Sequence, residues 1–404
     1  MKQTREYPVF TVTKKGTRWV EGGHPWIYAE EILSKSAETE NGALADAVSE
    51  GGKYLGTGLY SHESKIGLRL VSRNANDRFD AAFWRRRITY AWDYRKTVLD
   101  AEDLACCRVI FGEADGFPGL TVDRFSDILV TQTLSAGMER LKDVIFPLLL
   151  EVLREDGQDV RGIYERNDVA IRALEGLRQG KGWYGEEHPE SVVTEICENG
   201  VRYAVDVENG QKTGFFLDQK YNRRAVARLA RGRRVLDCFT HTGSFALNAA
   251  KGGAAHVTAV DVSESAIRMA EENARRNGLE GRMDFVAADV FELLPTLKKG
   301  EYDFIILDPP AFTKSRRTVD RAERGYKEIN LRALRALPRG GYFATASCSH
   351  FMPSALFEKM LRGAALDAGV ELRQIEARQQ APDHPILWNV PETDYLKFYI
   401  FQVV

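Results

Sequence analysis

Residues 235–250 constrain the fold of this chain more than any other stretch. They open with a short apolar run that ends at Cys238, turn through a loop containing Gly243, and continue into an alanine-rich amphipathic segment. A strand, a tight loop and a helix in this order form the opening of a nucleotide-binding α/β unit. Gly243 lets the backbone approach a ligand closely, and the first turn of the helix offers unpaired N–H groups. The pattern alone is equally compatible with a purely structural strand–helix turn, so the residues that follow must distinguish this turn from a nucleotide-binding loop.

The next apolar run, residues 256–261, ends in Asp261. A carboxylate at the end of the second strand is placed to accept hydrogen bonds from ribose hydroxyls. Gly243 is the only glycine in the loop, whereas dinucleotide enzymes use several to cradle a pyrophosphate. This points away from NAD and towards S-adenosylmethionine. Asp289, after a third apolar run, is the expected partner of the adenine amino group.

Composition limits where such a protein works. The chain has 404 residues and a formal net charge of −2, so any nucleic-acid surface must be a local basic patch. No signal peptide or membrane-spanning apolar run is evident, which predicts a soluble, cytoplasmic protein. The cysteines are odd in number and lack C-x-x-C spacing, which favours reduced thiols and no metal site. These five cysteines are Cys106, Cys107, Cys197, Cys238 and Cys348.

Three domains are predicted before any chemistry is considered. Residues 1–79 alternate short apolar runs with glycine-containing turns, which is typical of a small β-barrel. Its basic and aromatic residues suit RNA, although an ordinary barrel with core tryptophans fits equally well. Residues 80–186 predict a central mixed α/β domain that begins with an arginine-rich helix over 80–98. Residues 187–404 form the third domain, where an arginine-rich segment over 220–234 is either a phosphate-binding face or a packed amphipathic helix.

The third domain is predicted to be a doubly wound, Rossmann-like α/β sheet of seven strands, with its ligand at the carboxyl ends of the strands. Polar groups follow five successive strands there. A single aspartate at such a position often only caps a helix, but a row of them describes a cofactor site beside a reaction site. The five are Asp237, Asp261, Asp289, Asp308 and Cys348.

The sequence Asp308-Pro309-Pro310 narrows the chemistry. Two prolines directly after a buried strand fix the backbone and remove amide donors, so a flat base fits beside the carboxylate. Enzymes that methylate exocyclic amines carry an aromatic residue directly after these prolines. Here Ala311 holds that position and Phe312 follows, which weakens the amine interpretation.

Cys348 favours carbon chemistry instead. Carbon 5 of a pyrimidine becomes nucleophilic only after a thiolate adds to carbon 6, which is covalent catalysis by a partly exposed cysteine of lowered pKa. Asp308 is placed to share a proton with ring N3. A lone cysteine is more often a small buried hydrophobe, but its position beside Asp308-Pro309-Pro310 reverses that preference. Cys238, the other nearby thiol, lies where the cofactor is expected.

Several motifs in the same order carry a resemblance over nearly the whole chain. The chain resembles the family of PUA-domain-containing, S-adenosylmethionine-dependent 23S ribosomal RNA cytosine-5 methyltransferases. Two positions depart from the family pattern: Ser244 replaces a small residue that is often glycine, and His241 replaces a tyrosine. His384, in a proline-rich loop, either lines the base pocket or has a structural role. The matching motifs span residues 112–124, 210–219, 236–243, 308–315, 347–349, 381–385 and 395–397.

The resemblance implies a PUA-like RNA-binding barrel, a central α/β domain and a class I methyltransferase sheet. It implies Cys348 as nucleophile with Asp308 as its partner, and ribosomal RNA as the substrate; a homodimer is one alternative for the oligomeric state. The implied cofactor-binding residues are Gln219, Asp237, Phe239, Thr240, Gly243, Asp261, Val262, Asp289, Asp308 and Pro309. The residues expected to contact RNA are Lys14, Arg69, Arg85, Arg86, Arg223 and Lys314.

Two other functions stay open at this point. A guanine-nitrogen methyltransferase would use the same Asp-Pro-Pro motif and would need no cysteine. A non-catalytic RNA-binding or assembly factor would keep the fold without binding S-adenosylmethionine. Turnover that persists without Cys348 would favour the guanine-nitrogen methyltransferase. Calorimetry that shows no binding of the cofactor would favour the non-catalytic factor.

Overall fold

The computed structural model describes residues 6–313 and 315–404, and Lys314 therefore lies outside the described residues. The chain divides into two compact units. The first unit combines the chain up to residue 196 with residues 204–217 and 382–393, and the second contains residues 197–203, 218–381 and 394–404. The predicted domain boundaries after residues 79 and 186 stay predictions.

The first unit begins with a six-stranded sheet in the order β2-β6-β5-β4-β1-β3. Buried residues alternate with partly exposed ones in β1 and β2, β5 and β6 are buried almost throughout, and β3 is mostly exposed. Helix α1 was not predicted; Thr13 caps it by accepting a hydrogen bond from the Gly16 amide at 3.0 Å. The elements are β1 (Val9–Val12), α1 (Lys14–Glu21), β2 (Trp26–Tyr28), β3 (Ile32–Lys35), β4 (Leu44–Ser49), β5 (Tyr54–Tyr60) and β6 (Ile66–Ser72).

The same unit contains a five-stranded sheet in the order β11-β10-β9-β8-β7. Arg95, which is fully buried on α2, forms an ion pair of 2.6 Å with Asp115, and the guanidinium also donates to backbone carbonyls. Strands β7 and β8 form an antiparallel pair. The elements are α2 (Ala81–Val98), β7 (Cys106–Phe111), β8 (Leu120–Phe125), β9 (Ile128–Thr133), α3 (Ala136–Glu155), β10 (Gly162–Arg166) and β11 (Lys181–Tyr184).

A two-stranded hairpin of β12 (Val193–Glu198) and β13 (Val201–Asp206) follows. Its turn residues Asn199 and Gly200 have φ values of 52° and 74°. Two successive left-handed residues form the turn that matches the twist of paired strands. The Asn-Gly sequence therefore explains the hairpin that it predicts.

The second unit contains a seven-stranded sheet in the order β16-β15-β14-β17-β18-β20-β19, in which β20 runs antiparallel to β18 and β19. The predicted Rossmann-like α/β fold is confirmed. Helix α7 has only four residues, and a 3₁₀ turn that contains Pro295 follows it. The elements are α4 (Lys220–Ala230), β14 (Arg234–Cys238), α5 (Ser244–Lys251), β15 (His256–Asp261), α6 (Glu264–Asn277), β16 (Met283–Ala287), α7 (Val290–Leu293), β17 (Phe304–Leu307), α8 (Val319–Ala336), β18 (Tyr342–Ser347), α9 (Ser354–Ala368), β19 (Leu372–Arg378) and β20 (Lys397–Val403).

The central strands of this sheet are apolar and inaccessible. All four residues of β17 are fully buried, as expected of parallel strands covered on both faces. Helices α8 and α9 pack against each other and contribute buried side chains to the same core cluster. The side chains of this sheet that can reach a ligand are therefore those at the strand ends. Among the described residues, no helix is both long enough and apolar enough to cross a membrane.

Candidate active site

The loop between β14 and α5 has an uncommon backbone. Phe239, His241 and Gly243 all have positive φ values, of 64°, 51° and 83°. Such conformations cost non-glycine residues on the order of 1–3 kcal/mol and persist only where surrounding contacts fix them. Here the His241 amide donates to Asp261 at 2.9 Å. Burial lowers the pKa of the His241 imidazole, so the ring is a neutral part of the loop.

Asp237 lies at the base of this loop and is fully buried. Its Oδ2 atom accepts hydrogen bonds from the Thr240 hydroxyl at 2.5 Å and the Ala246 amide at 2.9 Å. Burial raises the pKa of Asp237 to about 7, and the nearby charges of Asp308 and Asp261 act in the same direction. Its Oδ1 atom is buried without a hydrogen-bond partner among the described residues. A buried acceptor of this kind suits a donor supplied by a ligand.

Asp261 and Asp289 occupy the ends of the next two strands. Asp261 accepts from the amides of His241 and Ser263, at 2.9 and 3.0 Å. Asp289 is exposed and caps α7 by accepting from the Phe291 amide at 2.8 Å. Val262, directly after Asp261, is 73% exposed. The row of strand ends thus offers carboxylates and an apolar surface together, which fits the predicted adenosyl cofactor.

Asp308 follows β17 and is partly exposed, between the buried strand and Pro309, which is itself buried. The Gln219 side chain donates to Asp308 Oδ1 at 2.9 Å. Asn222 in turn donates to Gln219 Oε1 at 2.6 Å. These two hydrogen bonds fix the orientation of the Gln219 side-chain amide: its nitrogen faces Asp308 and its oxygen faces Asn222. Gln219 therefore orients the Asp308 carboxylate in addition to its predicted place near the cofactor.

Cys348 follows β18, whose neighbour in the sheet is β17, so its thiol and Asp308 lie beyond adjacent strand ends. Cys348 is partly exposed while Ser347 and Ser349 on either side are buried. The Ser347 hydroxyl donates to Tyr326 at 3.1 Å, and the Ser349 hydroxyl donates to the Thr313 carbonyl at 3.1 Å. The flanking serines thus anchor the cysteine loop to α8 and to the segment after Pro310.

Lys397, at the start of β20, is the charged side chain nearest to this loop in the strand pairing, since it lies opposite Ser347. Its ammonium donates to the Ser349 carbonyl at 2.6 Å and to the Tyr395 carbonyl at 2.8 Å. Burial lowers the pKa of Lys397 to about 8, while Cys348 and Asp394 raise it. Sequence reasoning quoted this lysine in a motif and gave it no role. The sequence signal for a functional role is a single lysine at the first position of an otherwise apolar strand.

The other cysteines differ from Cys348 in setting. Cys238 is fully buried in β14, and burial raises the pKa of its thiol well above the ordinary value. Cys106 and Cys107 are buried in the first unit, and Cys197 is exposed in the hairpin. Phe312, the aromatic residue of the Asp-Pro-Pro segment, packs against Tyr326 with ring centroids 4.5 Å apart.

Two of the predicted RNA contacts lie inside the protein and are corrected here. Arg223 is fully buried in an ion pair of 2.9 Å with Glu198, because one face of α4 packs into the second unit. Arg69 is 8% exposed and pairs with Glu175 at 2.8 Å. Both guanidinium groups have structural partners, so neither can reach a phosphate.

Three further predicted RNA contacts among the described residues, Lys14, Arg85 and Arg86, lie at the surface. Lys14 and Arg86 are exposed, and Arg86 has only a long contact of 3.8 Å with Asp77 among its ion pairs in the described chain. Arg85 is partly exposed and pairs with Glu151 at 2.9 Å and with Glu155. His384 is buried in the first unit, with its Nδ1 atom 2.9 Å from Asp383 and its ring against Phe111. These contacts favour its structural role.

Two family descriptions match this chain. The description "S-adenosylmethionine-dependent methyltransferase" matches residues 180–394, and "PUA-like domain" matches residues 10–73. The first spans just over half of the chain. S-adenosylmethionine is therefore the cofactor, as the single glycine of the loop predicts.

Two solved structures share the fold. One is a Streptococcus mutans protein provisionally described as an S-adenosylmethionine-dependent methyltransferase, with a TM-score of 0.80; the other, with a TM-score of 0.82, was solved with SAH. Each is 22% identical and covers 98% of this chain and 100% of its own.

Curated relatives match over nearly their full length. Ribosomal RNA large subunit methyltransferase I of Aliivibrio fischeri is 41% identical over 385 residues, covering 94% of this chain and 96% of the relative. The protein of the same name from Aeromonas hydrophila is 43% identical, covering 93% and 94%. That of Klebsiella pneumoniae is 38% identical, covering 98% and 99%. The chain belongs to the ribosomal RNA large subunit methyltransferase I family of PUA-domain-containing, S-adenosylmethionine-dependent methyltransferases.

Proposed function

We propose that this chain methylates carbon 5 of a cytosine in large-subunit ribosomal RNA, with Cys348 as the nucleophile. The names of its full-length relatives support the RNA substrate, and the PUA-like match supports an RNA-binding first unit. The choice of carbon 5 rests on one observation. A partly exposed thiol follows the strand beside Asp308-Pro309-Pro310.

The chemistry requires a nucleophile because carbon 5 of cytosine is unreactive on its own. The Cys348 thiolate adds to carbon 6, and the electrons of the 5,6 double bond then make carbon 5 enamine-like. S-adenosylmethionine, when bound, supplies the electrophilic methyl group. Removal of the carbon-5 proton restores the double bond and expels the thiolate. An amine nitrogen attacks the methyl group with its own lone pair and then loses a proton, so it needs no covalent activation, and only the carbon reaction needs this cysteine.

We assign to Asp308 the proton transfer at ring N3. As carbon 6 is attacked, negative charge builds on the ring at N3, and a proton shared with a carboxyl group stabilises it. The hydrogen bond from Gln219 holds the Asp308 carboxylate in one orientation. Pro309 and Pro310 present no amide donor that would compete for the base.

The cofactor would be held by the loop and strand ends on the other side of β17. Asp237 Oδ1 is the buried acceptor for a donor of the methionine portion, Asp261 suits the ribose hydroxyls, and Asp289 suits the adenine amino group. Phe239, Thr240, Gly243 and Val262 complete the proposed set. Lys14 and Arg86 are the proposed phosphate contacts in the first unit.

Replacing Cys348 by alanine tests the reaction. We expect turnover on a large-subunit ribosomal RNA transcript to fall by at least about a thousandfold, as when other covalent nucleophiles are removed. Mass spectrometry of the digested RNA measures 5-methylcytosine directly. Cys197→Ala, which removes an exposed thiol from the hairpin, is the matched control and should keep wild-type turnover.

An RNA containing 5-fluorocytosine gives an independent readout. Fluorine at carbon 5 cannot leave as a proton, so the enzyme–RNA adduct should persist and survive denaturing electrophoresis for the wild type and Cys197→Ala only. Full turnover by Cys348→Ala would contradict the proposal and favour methylation of a guanine nitrogen. If calorimetry detects no binding of S-adenosylmethionine, a non-catalytic role in RNA binding is the function that remains.

A further inference from the structure

The ammonium of Lys397 has an unusual setting for a charged group. Lys397 is 4% exposed, and within the described part of the chain its ammonium donates to two backbone carbonyls. No carboxylate lies within ion-pair distance of it among the described residues. Burying a cation without an anionic partner costs several kcal/mol. This cost is offset where the buried charge stabilises a neighbouring group, so the neighbours of Lys397 indicate its role.

The neighbour is the loop that carries the nucleophile. Lys397 pairs with Ser347 across β18 and β20, and its ammonium is bonded to the carbonyl of Ser349. These two residues flank Cys348. The Coulomb attraction between Cys348 and Lys397 raises the pKa of Lys397 against the larger effect of burial. Such an attraction is mutual, so the ammonium favours the thiolate to the same extent that the thiolate favours the ammonium.

We propose that Lys397 is the positioning residue of the nucleophile: its ammonium is the counter-ion that holds Cys348 as a thiolate and fixes the loop around it. The thiol proton leaves to water, and the negative sulfur stays next to the buried cation. This rests on the proposed function only in assigning a use to the thiolate. The position of Lys397 beside the Cys348 loop rests on the strand register and on the Ser349 hydrogen bond.

The other titratable groups named here either disfavour the negative charge of a Cys348 thiolate or are hydrogen-bonded to other residues. Tyr326 of α8 is bonded to Ser347, and its pKa is raised to about 12, mainly by burial and further by Cys348 and Asp308. It is therefore neutral at physiological pH. Asp308, beyond β17, carries negative charge near the same place. Asp394, before β20, accepts from Gln379 at 3.0 Å and favours the charged form of Lys397. His350, two residues after Cys348, is exposed to solvent, and among the other groups named here Lys397 alone brings positive charge.

Alkylation of Cys348 by iodoacetamide, followed peptide by peptide with mass spectrometry between pH 5.5 and 9.5, tests the pairing. Only the thiolate reacts. In Lys397→Met the midpoint of the reaction should move up by at least about one pH unit and the rate at pH 7 should fall about tenfold. Lys397→Arg should stay within about threefold of the wild type. Lys359→Met, on the exposed side of α9, is the control and should change nothing.

A second variant keeps the test decisive. Lys397→Gln keeps a donor for the carbonyls and removes the charge, and S-adenosylmethionine calorimetry checks that either variant is folded. An unchanged midpoint in a folded neutral variant would overturn the inference. The alkylation readout needs no RNA, so this failure is distinct from that of the proposed function, which would show as turnover by Cys348→Ala. With both correct, the pH profile of turnover shifts in Lys397→Gln while the KM for RNA stays unchanged.

Discussion

At the scale of single residues, the site contrasts one buried carboxyl group with several half-exposed ones. Asp237 is fully buried and its pKa is raised to about 7, whereas Asp261 and Asp308 are partly exposed. The hydrogen bonds that Asp237 receives from Thr240 and Ala246 lower its pKa but do not offset burial. A carboxyl group that titrates near neutral pH links the stability of the second unit to the pH.

This linkage gives the first prediction. A folded pKa of about 7 against 3.8 for the ordinary group means that Asp237 stabilises the fold fully below pH 3.8. That contribution is lost as the pH rises to about 7, by roughly 4 kcal/mol in all and by roughly 2–3 kcal/mol between pH 5 and pH 8. The free energy of unfolding of Asp237→Asn, relative to the wild type, should therefore improve by that amount between pH 5 and pH 8.

Urea denaturation at the two pH values measures this difference. Asp320→Asn is the control, because Asp320 is exposed in the first turn of α8, and its effect should not depend on the pH in that range beyond a few tenths of a kcal/mol. A constant difference between wild type and Asp237→Asn at pH 5 and pH 8 would show that Asp237 stays ionised when folded.

At the scale of elements, α4 shows how a charged sequence becomes part of a core. Lys220 and Arg223 are fully buried on one face, while Arg224 and Arg228 are exposed on the other. Arg223 ends against Glu198 at the tip of the β12–β13 hairpin, with both side chains inaccessible. The ion pair therefore joins α4 to the hairpin within the second unit. An arginine count alone could not separate these two faces.

Removing one member of this pair should be costly. Arg223→Met leaves the Glu198 carboxylate buried without its cation, which should destabilise the second unit by about 3–5 kcal/mol. Thermal and urea unfolding measure the loss. Arg231→Met removes an exposed arginine just after the same helix and should change the stability by less than about 0.5 kcal/mol. Equal effects of the two substitutions would mean that the buried pair contributes nothing specific.

The sequence predicts the elements of the methyltransferase sheet well, because hydrophobic periodicity and strand-end aspartates are local signals. The predicted seven strands of this sheet are all present. Helix α1 was missed because its eight residues interrupt a region of alternating strands. The partners of Arg69 and Arg223 could not be predicted either. Glu175 and Glu198 come from other elements, and a buried ion pair leaves no periodic trace in the sequence.

At the scale of the whole molecule, the charge balance limits how RNA can be bound. A net charge of −2 gives no general attraction to a polyanion, so affinity must come from local cations. Burial in ion pairs removes two of the sequence candidates, Arg69 and Arg223, from that set. Lys14, at the start of α1, is exposed within the PUA-like match and is the strongest remaining candidate in the first unit.

The salt dependence of RNA binding then distinguishes contact residues from structural ones. Each phosphate contact releases counterions, so the slope of log affinity against log salt concentration should become less steep by about 0.7–0.9 in Lys14→Gln. Fluorescence anisotropy with a ribosomal RNA fragment between 50 and 300 mM salt measures this slope. Arg69→Gln should leave the slope unchanged and lower the melting temperature instead, since it leaves Glu175 buried without its partner. Lys359→Gln, on α9, should alter neither quantity. An unchanged slope for Lys14→Gln would place the phosphate contacts elsewhere, and a reduced slope for a stably folded Arg69→Gln would mean that this arginine reaches RNA despite its burial.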